Sequence, residues 1–447
     1  MREPTGADPL HDLLDAAVGL DGADEVEARA VHTWGGLARF ADSAIHQHVA
    51  GDDTSVSVRV NSGGRVGAAS TNDATSAGVA TAAARALAAA RLSPPDPRYP
   101  GLAGPATLAE EPGRYDEATA ATSPRQRAMA VAALLAALGP GQQAAGAVST
   151  TAAEVAFATT AGARLYALST RASASAVVTG DGATGHGEDA ARALEKVDVA
   201  GVGERAAATA AAAIDPIDIQ PGDHDVVLSP SAVATLVEYL GEAFSAKAVA
   251  EGRSPFTGHL GKSFASPLIH LADDPTGEGA VGVPFDGEGT PRRRVQLMAA
   301  GRAVAVVHDR ASAAAAGTTS TGHGLSAPNP WGPSASHLTL SPGSSSVEDL
   351  VAGIDRGLLV TRFWYTRTVN PKRTLVTGMT RDGTFRIEGG RRVGAVHNLR
   401  YNQSILEALA RCDGVGNRLH ACSDEGGDIR VPALRLRAFT FTSASDH

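Results

Sequence analysis

The rhythm of apolar and polar positions changes several times along this chain, and each rhythm predicts an element. His11 to Leu20 places apolar residues at helical spacing, the mark of a short amphipathic helix. At Glu25 the pattern becomes strict alternation, Glu25-Val26-Glu27-Ala28-Arg29-Ala30-Val31, which predicts a half-buried strand. A second strand is expected over 37–48 and a third over Ser55 to Val60. Asn61-Ser62-Gly63-Gly64 supplies a hairpin turn, and a return strand starts at Arg65. Thr75 to Leu92 is alanine-rich and helical, and it stops at Ser93-Pro94-Pro95-Asp96-Pro97. There the prolines remove N–H donors and force extended backbone.

Beyond a Pro- and Gly-rich linker, Ser123-Pro124 opens a helix expected to reach Leu138. Strands are predicted at 143–151, 154–160 and 163–179, a flexible loop at 180–187, and a helix from Val202 to Ala213. After Asp215-Pro216 the texture changes. Val226-Val227-Leu228 reads as a strand, Ser229 as an N-cap and Pro230 as a first helical residue. Val233, Leu236, Val237, Leu240 and Phe244 give that helix one apolar face, and it is expected to run to about Gly252.

Alternating segments follow at 295–307, 357–369, 375–387, 393–399 and 434–442, with one helix at 404–411 in the last third. The predicted fold class is α+β: a mixed α/β N-terminal part (sheet with helices) and a β-rich C-terminal domain carrying one long helix near its start. The expected organisation is 1–92 and 117–215 as α/β subdomains, 93–116 as the linker and 216–447 as the C-terminal domain.

Length and composition narrow the function classes. A chain of 447 residues that is 43% hydrophobic can bury a sizeable core. A formal charge of −9, with Arg292-Arg293-Arg294 as the only compact basic run, argues against a nucleic-acid surface. Two cysteines, Cys412 and Cys422, exclude a disulfide scaffold and suit a reducing compartment. No apolar run of about 18 residues occurs and the first residues lack a signal-peptide core, so a cytoplasmic protein without a membrane span is expected.

Common catalytic motifs are missing. Gly258-His259-Leu260-Gly261-Lys262-Ser263 resembles a phosphate loop, but Phe256 stands where its first glycine is needed. No serine sits in a G-x-S-x-G elbow. His420 and Cys422, with Cys412 nearby, come nearest to a metal pair but lack a further nominated ligand.

A set of short stretches in fixed order is more specific. Ser55 to Asn72, Ser254-Pro255-Phe256 with Gly261, Asp273-Asp274-Pro275, Gly357 to Thr361, Phe385 to Gly390 and Val431-Pro432-Ala433-Leu434 span most of the chain. Together they resemble the TldD/PmbA family of metallopeptidases, once described as modulators of DNA gyrase. In the family's catalytic TldD branch, a helix at this place carries His-Glu-x-x-x-His. Its histidines hold zinc and its glutamate activates the metal-bound water.

Counting back from Ser254, this chain has Val237-Glu238-Tyr239-Leu240-Gly241-Glu242. Glu238 falls at the general-base position, while Val237 and Glu242 replace both imidazoles. Valine has no lone pair to give, so the resemblance points to the non-catalytic TldE/PmbA branch. It implies no cofactor in this chain and zinc in a TldD-like partner, with the two forming a heterodimer around a chamber for an unstructured or modified peptide. Ser254, Phe256, His323, Asn329 and Trp331 are the substrate-binding candidates, and the 318–333 loop is a candidate chamber wall. A peptidase or amidase acting alone through His420 or Cys422, and a non-proteolytic binding module, are the alternatives.

Overall fold

The structure, a computed structural model, describes residues 3–109, 113–277, 279–422 and 428–445, so residues 110–112 of the expected linker lie outside it. The N-terminal alternation produces strands β1 (Glu25–Ala41), β2 (Ala44–Ser62), β3 (Arg65–Thr71), β4 (Gln143–Thr159), β5 (Arg164–Gly180) and β6 (Ala183–Ala191). They form one antiparallel sheet in the order β3-β2-β1-β4-β5-β6, so strands from both sides of the 93–116 segment share it.

Several predicted strands are longer than expected because turns were hidden. The strand expected over 37–48 is split between β1 and β2 by Asp42-Ser43, both in the left-handed region at φ 49° and 60°. That turn lacks the glycine that advertises such a conformation. The segments at 143–151 and 154–160 are one strand. The expected flexible loop at 180–187 is instead an Asp181-Gly182 turn leading into β6, with φ 48° and 76°.

Helices cover one face of this sheet. Helices α1 (Ala7–Val18) and α2 (Ser76–Leu92) pack on Val26, Ala28, Val58 and Val60 at one end. At the other end, α3 (Glu117–Ala120) leads into α4 (Pro124–Leu135), and α4 with α5 (Val199–Ala212) packs on Phe40, Val148 and Ala174. The many alanines let helix backbones lie close to the strands. At Gly185 a Cβ would come within 2.1 Å of the Ala206 carbonyl, so only glycine fits that approach. The opposite sheet face carries Val31, Val155 and Phe157, which meet Phe285 of the C-terminal part.

The C-terminal part contains two sheets. In one, β7 (Gly222–Leu228), β12 (Arg356–Asn370), β13 (Leu375–Glu388), β15 (Leu399–Ser404) and β19 (Leu434–Ala444) pair in a closed ring, with β14 (Arg391–Ala395) and β16 (Cys412–Val415) at its margin. The other follows the order β10-β9-β8-β11-β18-β17, from β8 (Leu271–Asp273), β9 (Val295–Ala299), β10 (Arg302–Ala303), β11 (Leu338–Leu340), β17 (His420–Cys422) and β18 (Ile429–Val431). The strand expected over 295–307 breaks at Ala300-Gly301, where both residues have positive φ. Short helices absent from the sequence reading, α8 (Arg310–Ala315) and α9 (Val347–Ala352), begin with the capping boxes Asp309/Ser312 and Ser346/Asp349.

The helix predicted from Pro230 lies between these two sheets, in their shared core, but it is shorter than expected. It spans Pro230–Gly241 (α6), passes through a tight turn at Glu242–Phe244, and resumes only as α7 (Ala246–Ala250). The break has a cause in the backbone: Ser245 is extended and bridges Val307, with Ala246 N–H on the Val307 carbonyl at 3.0 Å. The last helix is α10 (Ile405–Ala410). Among the described residues, no helix is long and apolar enough to cross a membrane.

Candidate functional site

The C-terminal end of α6 opens into a cavity of about 510 Å³. Glu238, Gly241 and Glu242 line it from the helix side, Leu325 and Trp331 from the facing loop, and Arg253 from below α7. Glu238 and Glu242 lie one turn apart and so share a helical face. A Cβ at Gly241 would come within 2.8 Å of Leu338 Cδ1, so a larger residue here would have to push that side chain aside. The cavity walls desolvate Glu242 and push its carboxyl above the usual range, while Arg253 pulls the other way.

The loop is shaped by its own polar groups. Asn329 Oδ1 accepts from the Trp331 N–H at 2.9 Å, and Asn329 Nδ2 donates to the Gly332 carbonyl at 3.0 Å. Lys247 Nζ, from α7, donates to the Pro330 carbonyl. This leaves the Trp331 indole 78% exposed at the cavity wall. An aromatic surface of that size, fixed at one end, suits contact with an extended chain.

The other sequence candidates are placed differently. Val237 is 1% exposed and sits in the core, not on the cavity. Ser254 is buried, donating to the Ala243 carbonyl at 2.7 Å and accepting from the Phe256 N–H at 3.1 Å. Phe256 is fully buried, with ring centroids 4.6 Å from Phe244 and 5.0 Å from Phe264. His323 is buried as well, pairing through Nε2 with Asp273 Oδ1 at 2.9 Å and through Nδ1 with Thr321 Oγ1 at 2.9 Å. These three therefore build the walls behind the site, and Trp331 alone of the five substrate candidates lines this cavity. Asn329 lines a neighbouring one.

His420 and Cys422 lie two residues apart on β17, with His420 exposed and Cys422 buried. Among the described residues, no group of three or more His, Cys, Asp or Glu side chains is placed to hold a metal ion. At the α6 cavity itself the donor set does not fit zinc. Its lining residues carry the Glu238 and Glu242 carboxylates but no imidazole or thiol, and the Arg253 guanidinium lines the same cavity. Leu325 comes from the 318–333 loop expected as a wall, whereas Arg253 had no signal in the sequence, because it reaches the cavity by folding and not by spacing along α6.

The comparisons agree with this architecture. Residues 26–90 match the family model for PmbA/TldA metallopeptidase domain 1, and residues 221–443 match that for the PmbA/TldA metallopeptidase C-terminal domain. Together the matches cover more than half of the sequence, and the chain belongs to the PmbA/TldD metallopeptidase family. Its fold is similar to that of TldE from Thermococcus kodakarensis, with a TM-score of 0.88 at 22% identity, over 97% of this chain and 100% of that one.

A metalloprotease of Methanothermobacter thermautotrophicus is 26% identical over 254 residues, 55% of this chain and 56% of the relative. The metalloprotease TldD homolog of Buchnera aphidicola is 26% identical over 234 residues, 49% of this chain and 48% of that protein. The alignments thus span about half the length of these curated relatives.

Proposed function

We propose that this chain is the non-catalytic, TldE/PmbA-like subunit of a two-subunit zinc peptidase. It holds an extended peptide in the α6 cavity while a zinc-bearing, TldD-like partner cleaves or matures it. The observation that carries this reading is the combination at α6: Val237 and Glu242 stand at the ligand positions implied by the family resemblance, and the helix still borders a sizeable cavity. Glu238 and Glu242 attract cationic groups of the peptide, and Trp331 offers a flat apolar surface for a side chain. Zinc and the activated water belong to the partner. The complex works in the cytoplasm, a placement supported by the presence of only two cysteines in 447 residues.

The test is to assemble the chain with a TldD-like partner and follow cleavage of an unstructured peptide. Trp331→Ala should raise KM about tenfold, equivalent to about 1.4 kcal/mol of binding, and leave kcat and bound zinc within about twofold. An unchanged KM would remove the peptide from this cavity.

A further inference from the structure

The loop that walls the α6 cavity has a second cavity of about 410 Å³ on its other side, and both cavities include Leu325 and Gly332. Val66, Pro100, Leu325 and Pro328 give it apolar walls, Arg59 and Glu288 give it buried polar ones, and Asp96, Arg98, Lys247, Glu251 and Asp309 add charges of both signs. Both polar side chains are buried, and Arg59 is incompletely bonded. Arg59 is 9% exposed, and its Nε has no hydrogen-bond partner. Its Nη2 is taken by Glu27 on the neighbouring strand.

Glu288 is 8% exposed. Its Oε2 accepts from the Arg310 N–H at 2.8 Å, and Oε1 stands 3.7 Å from Arg59 Nη1, beyond hydrogen-bond reach. Burial pushes the Glu288 carboxyl up to about 7. The Arg310 N–H and Arg59 oppose that rise, while Asp286 and Asp309 add to it. Leaving Arg59 Nε buried and unbonded costs about 1–3 kcal/mol, which a bound ligand can recover.

Arg59 Nε lacks an acceptor, and the Glu288 carboxyl on the cavity lining suits a cationic donor. At the Glu288 end, where Asp309 also lies, a free carboxylate or phosphate would meet like charges, and a purely apolar ligand would leave Arg59 Nε unmet. We propose that this cavity is a second subsite that takes the amino-terminal residue of a peptide. The α-ammonium sits on Glu288, the first carbonyl oxygen accepts from Arg59, and an apolar side chain lies among Val66, Pro100 and Pro328. A volume of this size is within the range of small-ligand pockets. The subsite deepens the peptide-binding reading above and rests on it, since one loop separates the two cavities.

The test uses the full-length chain alone, without any partner, in titration calorimetry with leucylglycylglycine and with N-acetyl-leucylglycylglycine. The free peptide should bind, and acetylation, which removes the charge, should weaken binding at least tenfold. Glu288→Gln should bring the two peptides within about threefold of each other. Equal affinities in the unmodified chain, or no binding of the free peptide up to millimolar concentrations, would overturn the proposal. The wild-type comparison needs no variant, so a poorly folding Glu288→Gln cannot rescue it. Since no partner is present, a negative result here is separate from failure to assemble or to cleave.

Discussion

Replacing Asp273 by alanine should lower the free energy of unfolding by about 2–6 kcal/mol, about 1–3 kcal/mol for each of the two buried donors it would leave without an acceptor. The Asp273 carboxylate is fully buried. It accepts from His323 Nε2 at 2.9 Å and from the His337 N–H at 3.0 Å, so alanine strands two buried donors together. Denaturant unfolding reads the loss directly, and a change below about 1 kcal/mol would mean the cluster contributes little.

The same cluster sets a direction for acid sensitivity. Burial alone would raise the Asp273 pKa, but the His323 hydrogen bond and the nearby histidine charges outweigh it and hold the group below its ordinary value. Its contribution is therefore present above about pH 4 and is lost as pH falls through the lower folded value. Burial, with Arg292 acting in the same direction, lowers His337 to about 4. The unfolded chain then takes up a proton near pH 6.5 that the folded chain refuses, so stability also declines between about pH 6.5 and 4. His337→Gln should flatten that limb.

Phe256→Ala is expected to destabilise the protein by about 3–5 kcal/mol, because a fully buried aromatic leaves a cavity that its neighbours cannot close. Phe244 and Phe264 both pack on it, and it lies just behind the α6–α7 break that shapes the site. Thermal unfolding checks the prediction. At temperatures where the variant is folded, its KM for peptide should stay close to wild type. A raised KM with unchanged stability would instead return Phe256 to the binding surface.

What could be read from the sequence follows from what is local. Alternation at Glu25–Val31 and the Ser123-Pro124 start gave real elements, because side-chain period and capping chemistry act over a few residues. Asp42-Ser43 and Ala300-Gly301 turned the chain where the apolar pattern ran on, so strands were merged or split incorrectly. The break of the long helix at Ser245 came from a tertiary pairing with Val307, sixty-two positions away, which no local pattern carries.

The site divides in the same way. Glu238, Glu242 and Trp331 were legible from order and spacing and do meet at one cavity. Ser254, Phe256 and His323 belong to the same stretches but point inward, because the residues that mark a structural family include those that hold its walls. Arg59 and Glu288 are more than two hundred residues apart and come together only where the N-terminal sheet meets the C-terminal part.

Bound zinc, measured on the purified chain alone and on its complex with a TldD-like partner, reaches the central claim most directly when peptide cleavage is followed in the same samples. The account predicts no stoichiometric zinc and no hydrolysis for the chain alone, and one zinc per heterodimer with chelator-sensitive cleavage for the complex. Stoichiometric zinc and chelator-sensitive hydrolysis in the isolated chain would contradict it.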